Sequence, residues 1–135
     1  MEANRCGDNS LRCAVLDTNV LMYIYLKRID VLTQLKDLGF SRIVVPKSVV
    51  SELKNLEKSL TGRERIAARF ALRLIENGDI EVVETEAKRD LALIEVARRF
   101  NCYLITNDKS LRKRAKAVGI PYGYIRELNR VEIVE

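Results

Sequence analysis

The feature that most constrains the fold is an apolar run that stops abruptly at an acid. Residues 11–16 are apolar except for Arg12, and Asp17, Thr18 and Asn19 follow directly. A short apolar run of this kind predicts a buried strand, so Asp17 is expected at the carboxyl end of that strand. In an open α/β sheet, ligands bind outside those strand ends. Any other acidic residue that the fold places at the same edge of the sheet is therefore a candidate site residue.

Predicted strands alternate with predicted helices along the rest of the chain. The further strands are predicted at 43–45, 80–83, 102–105 and 122–125, with a terminal apolar alternation at 131–133. One or two predicted helices separate most successive strands, which predicts a three-layer α/β/α sandwich around a mostly parallel sheet. With 135 residues and no linker, the chain is expected to form a single domain over 1–135, in which 1–10 is a flexible N-terminus.

Three of the predicted helices carry candidate site residues or caps. Asn19 is expected to cap the first helix, because it stands directly between the strand and renewed helical spacing. A helix following Pro46 has an apolar stripe, and Glu52 lies at the edge of that stripe. A later helix is predicted from about 86 to 100, with Asp90 extending its apolar line towards the N-terminus.

Composition excludes several kinds of active site. The chain has no histidine, which excludes Ser/His/Asp and Cys/His nucleophilic sites, histidine-based zinc sites and nucleases that use two histidines. Its three cysteines include no CxxC pair, and Cys13 and Cys102 are expected to be small buried hydrophobic residues. No apolar run approaches the roughly 20 residues of a membrane span, and 1–10 lacks a signal-peptide core, so the cytoplasm is the expected location.

The charge balance permits a polyanionic partner without requiring one. The chain carries 24 Lys and Arg against 19 Asp and Glu, a net charge of +5. Such an excess fits either nucleic-acid binding or an ordinary solvated surface. The basic residues that are candidates for holding phosphates are Lys47, Lys54, Lys109, Arg112 and Arg114, with Lys113 and Lys116 on the same helix as the last two.

Four acids are predicted to reach one edge of the sheet. Asp17 follows the first strand and Asp108 follows the fourth, while Glu52 and Asp90 lie on or beside apolar helix stripes, where an unpaired carboxylate is costly to bury. Each acid has a simpler explanation by itself: Asp108 suits a helix N-cap, and Glu52 suits a surface ion pair. Together they would repel one another unless a cation neutralised them. Oxygen ligands without histidine favour Mg²⁺ or Mn²⁺, and such an ion can activate water for phosphodiester hydrolysis.

The same residues resemble, in order, the four motifs of PIN-domain nucleases. The likeness consists of Leu-Asp-Thr-Asn-Val-Leu at 16–21, Ser-Glu-Leu at 51–53, Asp90 with Leu93 and Ala97, and Thr-Asn-Asp-Lys-Ser-Leu at 106–111. The resemblance implies a metal-dependent endoribonuclease with an α/β/α fold, either a VapC-type toxin or a ribosomal-RNA processing nuclease. Leu91 stands where many relatives have a second acid, so one or two metal ions remain compatible with the pattern.

The resemblance also assigns roles to individual residues. It makes Asp17, Glu52, Asp90 and Asp108 the catalytic, metal-binding quartet. It makes Thr18, Asn19, Thr106 and Asn107 the polar residues that support this quartet. The implied substrate is single-stranded or looped RNA, cut by metal-activated water to leave 5′-phosphate and 3′-hydroxyl ends.

Partners and competing functions remain open at this point. Homologous PIN domains commonly pair, and Leu26, Ile29, Leu32 and Leu35 are a candidate homodimer surface, unless they fill the domain's own core. An antitoxin or a ribosome-assembly protein is a further expected partner, and no membrane is expected. A non-catalytic PIN module that binds RNA or protein is the alternative function. A haloacid-dehalogenase-type phosphatase is more distant, because it requires a second acid where this chain has Asn19.

Overall fold

One six-stranded sheet forms the centre of the computed structural model, which describes residues 12–134. The strands are β1 Arg12–Leu16, β2 Phe40–Pro46, β3 Glu81–Val83, β4 Tyr103–Ile105, β5 Tyr122–Arg126 and β6 Arg130–Val134. Their order is β3-β2-β1-β4-β5-β6, and all neighbours are parallel except the antiparallel pair β5 and β6. The mostly parallel sheet is therefore confirmed. The expectation of a flexible segment at 1–10 lies outside the described residues.

Helices cover both faces of the sheet. They are α1 Thr18–Leu26, α2 Val31–Asp37, α3 Lys47–Ser59, α4 Gly62–Glu76, α5 Asp90–Arg99 and α6 Lys109–Ala117. The connections from β1 to β2 and from β2 to β3, which contain α1 to α4, cross the sheet in one direction. The connections from β3 to β4 and from β4 to β5, which contain α5 and α6, cross it in the other. Because such crossovers are right-handed, the two groups lie on opposite faces. Accordingly α4 packs on α1 and α3, while α5 packs on β1, β2 and β4, which confirms the three-layer α/β/α sandwich.

Two helix starts differ from the sequence predictions. The cap of α1 is Asp17, whose side chain accepts a hydrogen bond from the Thr18 N–H, and Asn19 lies inside the helix. The expectation that Asn19 is the cap was wrong because the acid just before it already has the extended backbone that a cap requires. Helix α5 starts at Asp90 rather than near residue 86, because Arg89 has φ 56° and cannot continue a right-handed helix.

A disulfide bond joins the two central strands. Cys13 and Cys102 are bonded across 89 residues of sequence, and they are 4% and 1% exposed. Their expected burial is confirmed, but the expectation that they are separate hydrophobic residues was wrong. The physical reason is the pairing of β1 with β4, which sets Ala14 beside Tyr103 and so brings the preceding cysteines together.

The proposed homodimer surface lies largely inside the protein. Ile29 is 3% exposed and Leu35 is fully buried in the core, while Leu26 and Leu32 are partly buried against that core. Of the two alternatives, the exposed dimer surface was wrong for this set, and the filling of the domain's own core is confirmed for Ile29 and Leu35. The reason is that α2 packs on β2 and β6, so its apolar face is already covered.

Within residues 12–134, none of the helices has the length and hydrophobicity of a membrane span.

Candidate active site

The connections between strands change direction across the sheet at β1 and β4, which is the topological switch point. Connections leave these neighbouring strands towards opposite edges, and the crevice beyond such a pair is the usual ligand site of an open α/β sheet. Asp17 follows β1 and Thr106 follows β4. The Asp17 N–H donates to the Ile105 carbonyl at 3.1 Å, and the Thr106 hydroxyl donates to Asp17 Oδ2 at 2.7 Å. These two bonds fix the acid at the switch.

Asp17 is the most buried of the four predicted acids, and two others lie near it. Its Oδ1 accepts a hydrogen bond from the Thr18 N–H at 2.6 Å, and Oδ2 accepts from fully buried Thr106. Burial raises the pKa of Asp17 above its ordinary value; the two hydrogen bonds oppose this shift, and the charges of Asp90 and Glu52 reinforce it. The fold therefore places Asp17, just after β1, within electrostatic range of Glu52 from α3 and of Asp90 from α5, and we call these three residues the acid cluster.

Glu52 is held in this cluster by a buried threonine. The Thr18 hydroxyl donates to Glu52 Oε1 at 2.6 Å, and Thr18 is only 3% exposed. Glu52 and Asp90 are themselves exposed. We expected burial to make these two carboxylates need a partner, and that expectation was wrong. Helical spacing placed them beside apolar stripes, but their carboxylates are solvated at the edge.

Asp108 lies next to the cluster and has a second role. Its Oδ1 accepts a hydrogen bond from the Leu111 N–H at 3.1 Å, so it is the N-cap of α6, as its simpler explanation predicted. Its own N–H donates to Thr106 Oγ1 at 3.1 Å. The Thr106 hydroxyl is thus the link between Asp17 and the loop that carries Asp108.

The two predicted supporting asparagines differ in their contacts. The Asn107 side chain donates to the Ile125 carbonyl at 3.1 Å and accepts from the Ile125 N–H at 2.7 Å. It therefore ties the loop after β4 to β5. Asn19 is exposed in the first turn of α1, and its side chain has no hydrogen bond to another residue in the described range 12–134.

A cleft of about 880 Å³ opens beside the acid cluster. Glu52 and Asp90 line it together with Lys88, Arg89 and Arg114. Helix α3 adds the polar side chains of Ser48, Ser51 and Asn55 to this lining. Sequence reasoning missed Lys88 and Arg89, although their position directly before a candidate acid was a signal that both would reach the same site.

The five predicted phosphate-binding residues differ in whether they line the cleft and in whether they already contact another side chain. Arg114 lines the cleft. Lys47 lies 3.4 Å from Glu84 in an exposed ion pair, and the Arg112 guanidinium lies over the Tyr124 ring at 4.5 Å. The remaining two, Lys54 and Lys109, are exposed and do not line the cleft.

Comparison with known proteins identifies the family of this chain. A family model described as a PIN-like domain matches residues 14–128. The chain belongs to the PIN-like family. The resemblance noted from the four sequence motifs is therefore confirmed.

Relatives of this PIN-like chain match it over nearly their whole length. Ribonuclease VapC9 of Archaeoglobus fulgidus is 56% identical over 131 residues, which cover 97% of this chain and 96% of that protein. Ribonuclease VapC4 of Methanocaldococcus jannaschii is 31% identical over 124 residues, covering 88% and 94%. The structure of the PIN domain endonuclease Utp24 matches with a TM-score of 0.69 and 25% identity, covering 90% of this chain and 92% of that one.

The donor set of this PIN-like site fits a hard divalent cation. Within residues 12–134, no three Asp, Glu or Cys side chains come together as a complete metal-binding group. Mg²⁺ needs no such group, because it keeps several waters and is commonly held by one or two carboxylates. Asp17, Asp90 and Glu52 offer only oxygen atoms; burial is the main cause of the raised pKa of Asp17, and repulsion from the other two charges adds to it. A cation at this position would remove that repulsion.

The raised pKa of Asp17 predicts that its charge destabilises the metal-free protein. Between the ordinary pKa and the raised one, the folded state binds more protons than the unfolded state, so stability falls as pH rises through that window and stays lower above it. We expect Asp17→Asn to keep or raise the melting temperature at pH 7 without metal, and to abolish stabilisation by Mn²⁺. Any gain in melting temperature from Asp17→Asn should vanish at strongly acidic pH, where Asp17 is protonated in both states. Thermal unfolding with and without Mn²⁺ measures both effects, and a clear loss of metal-free stability would mean that the capping role of Asp17 dominates.

Proposed function

We propose that this PIN-like chain is an endoribonuclease that hydrolyses RNA phosphodiester bonds with Mg²⁺ or Mn²⁺ at Asp17, Glu52, Asp90 and Asp108. The observation that carries the proposal is the convergence of Asp17, Glu52 and Asp90 at the switch in the sheet, beside an open cleft. The relative named a ribonuclease at 56% identity supports RNA as the substrate. The phosphatase alternative is wrong, since the matching family is the PIN-like one.

The protein's own groups hold the carboxylates in place before substrate binds. Each Asp17 oxygen accepts one hydrogen bond, from Thr18 or from Thr106, and each keeps a further lone pair for a ligand. The Thr18 hydroxyl also holds Glu52, so one residue orients two acids. A bound Mg²⁺ or Mn²⁺ would supply water activation and neutralise charge on the reacting phosphate. Because the chain has no histidine, the carboxylates are the groups that can accept the proton of that water.

Cations around the site would hold the RNA backbone. Arg114 lines the cleft with two of the acids, which makes it the best supported of the proposed phosphate-binding residues. Lys54 and Lys109 are exposed; in the sequence, Lys54 lies two residues after Glu52 and Lys109 directly after Asp108. Lys47 and Arg112 are also proposed, although each already has a protein contact. Phosphate contacts of this kind position a strand without reading its sequence.

Proposals about partners rest on the relatives. Both curated relatives carry VapC names, which favours an antitoxin protein over a ribosome-assembly protein as the physiological partner. A homodimer is also proposed, and light scattering at tens of micromolar tests it: a monomer at that concentration, roughly the range of weak specific association, rejects it. A cytoplasmic location is also proposed, because an RNA substrate and an antitoxin partner would both be met there.

Incubation with an unstructured RNA tests the proposed function. The purified chain should cut internally with Mn²⁺ or Mg²⁺ and stop cutting with EDTA, and mass spectrometry should find 5′-phosphate and 3′-hydroxyl ends. Asp17→Asn protein, purified in the same way, controls for contaminating ribonucleases. RNA binding without cleavage by any metal would instead support the non-catalytic module, and 2′,3′-cyclic phosphate ends would contradict attack by water.

A further inference from the structure

The segment 84–89, which leads into α5, carries two cations into the cleft. Lys88 and Arg89 line the cleft next to Asp90 and across from Glu52 of α3. Both cations are exposed, and neither forms an ion pair with another residue of the described chain. Two positive charges that border an acid cluster without pairing to it are available to an anionic ligand.

The backbone of Arg89 is held in an unusual conformation. Its φ is 56° and its ψ is −133°, a region that residues with a Cβ rarely adopt and that glycine adopts freely. Arg89 also makes no side-chain cap to α5, so helix capping does not explain why an arginine stands here. Non-glycine residues in such conformations cluster at ligand-binding and catalytic positions.

Helix α5 itself fastens the segment that precedes Arg89. The Ala87 N–H donates to Glu95 Oε1 at 3.3 Å, and the Arg99 guanidinium donates to the Glu84 carbonyl at 2.8 Å. Arg99 and Glu95 also form an ion pair at 3.4 Å. The segment is therefore tied to the second and third turns of the same helix whose first residue is Asp90, which fixes Arg89 relative to that acid.

We propose that Arg89 binds an RNA phosphate adjacent to the one that is cleaved, and so positions the single strand across Asp90 and Asp17. The proposal rests on the proposed ribonuclease function. A guanidinium can donate two parallel hydrogen bonds to one phosphate, and the fastened segment fixes where that phosphate is held. Arg114 reaches the same cleft from α6, so cations from two different elements flank the acids along the path of the strand.

The test compares Arg89→Gly with Arg28→Gly. Arg28 is also an exposed arginine with a positive φ, 53°, but it lines a separate groove between α1, α2 and α4. Both substitutions remove one positive charge and place glycine where the backbone has a positive φ, so both should keep or raise the melting temperature. In an Asp17→Asn background without metal, we expect Arg89→Gly to weaken binding of a short single-stranded RNA about tenfold, and Arg28→Gly to leave it unchanged.

Salt dependence and kinetics give independent readouts. Loss of one phosphate contact should lower the slope of log affinity against log salt by about 0.7 for a single strand, and only for Arg89→Gly. In the otherwise wild-type enzyme, Arg89→Gly should raise KM far more than it lowers kcat, whereas Arg89→Lys should recover part of the affinity. If Arg89→Gly proves less stable than wild type, Arg89→Gln is used for the same measurements.

The outcomes separate this inference from the proposed function. Equal affinities and equal salt slopes for the Arg89→Gly and Arg28→Gly variants would overturn the inference, whether or not the wild-type protein cuts RNA. A selective loss of affinity in Arg89→Gly confirms phosphate binding at Arg89. Failure of the wild-type protein to cut RNA, together with that selective loss, would contradict the ribonuclease function and leave Arg89 as an RNA-binding residue.

Discussion

Asp17→Asn and Asp90→Asn each lower RNA cleavage by about a thousandfold or more, because a metal ion supplies several kcal/mol of transition-state stabilisation that depends on these charges. Asparagine keeps the shape of either side chain, so the fold is preserved. Asp108→Asn should have a smaller effect, about 10- to 100-fold, since Asp108 Oδ1 already accepts the capping hydrogen bond from the Leu111 N–H and asparagine caps a helix as well as aspartate does. Single-turnover cleavage at saturating enzyme measures the three rates.

Asp30→Asn is the matched control for these variants. Asp30 is the N-cap of α2, where its Oδ1 accepts a hydrogen bond from the Thr33 N–H at 3.1 Å, and it lines the separate groove rather than the cleft. Its substitution should change neither cleavage nor stability measurably. Near wild-type activity in Asp17→Asn or Asp90→Asn would show that the acid cluster is not the catalytic centre.

The Cys13–Cys102 bond is expected to contribute about 4 to 5 kcal/mol to the free energy of unfolding on a chain-entropy model. The model treats the bond as closing a loop, and the two cysteines are separated by 89 residues of sequence. The bond joins β1 to β4, whose ends carry Asp17 and Thr106. We therefore expect the Cys13→Ala/Cys102→Ala variant to unfold at markedly lower urea concentration than wild type, and to lose activity at temperatures where wild type remains folded.

Reduction separates the effect of the bond from that of the side chains. Dithiothreitol should destabilise the wild type and leave the double alanine variant unchanged, and Cys6→Ser should respond as wild type does. A wild-type protein whose urea midpoint is indifferent to dithiothreitol would contradict the stabilising role. Disulfides are rare in the cytoplasm of most organisms and common in the intracellular proteins of hyperthermophiles, so thiol trapping in cells is an informative companion measurement.

Features that depend on local sequence were predicted well. The acid after β1 was located because an apolar strand must end where polar residues begin, and Asp108 was located by the same construction after β4. The parallel sheet followed from the alternation of strands and helices. The role of Asp108 as the N-cap of α6 followed from residue chemistry alone.

Features that depend on tertiary neighbours were predicted less well. The pairing of Cys13 with Cys102 follows from the adjacency of β1 and β4, which no cysteine spacing encodes. Helical periodicity placed Glu52 beside an apolar stripe but could not tell a buried carboxylate from a solvated one. Arg89 was missed because one exposed arginine looks like another in sequence, and its positive φ cannot be read from the residue type.

A crystal of the protein soaked in Mn²⁺ tests the central claim most directly. An anomalous difference map locates the ion without reference to activity. Our account predicts one or two ions at the carboxyl ends of β1 and β4, with oxygen ligands from Asp17 and Asp90 directly or through water. A map with no ion at this position, at a Mn²⁺ concentration that supports cleavage in solution, would contradict the claim that these acids form a metal-dependent active site.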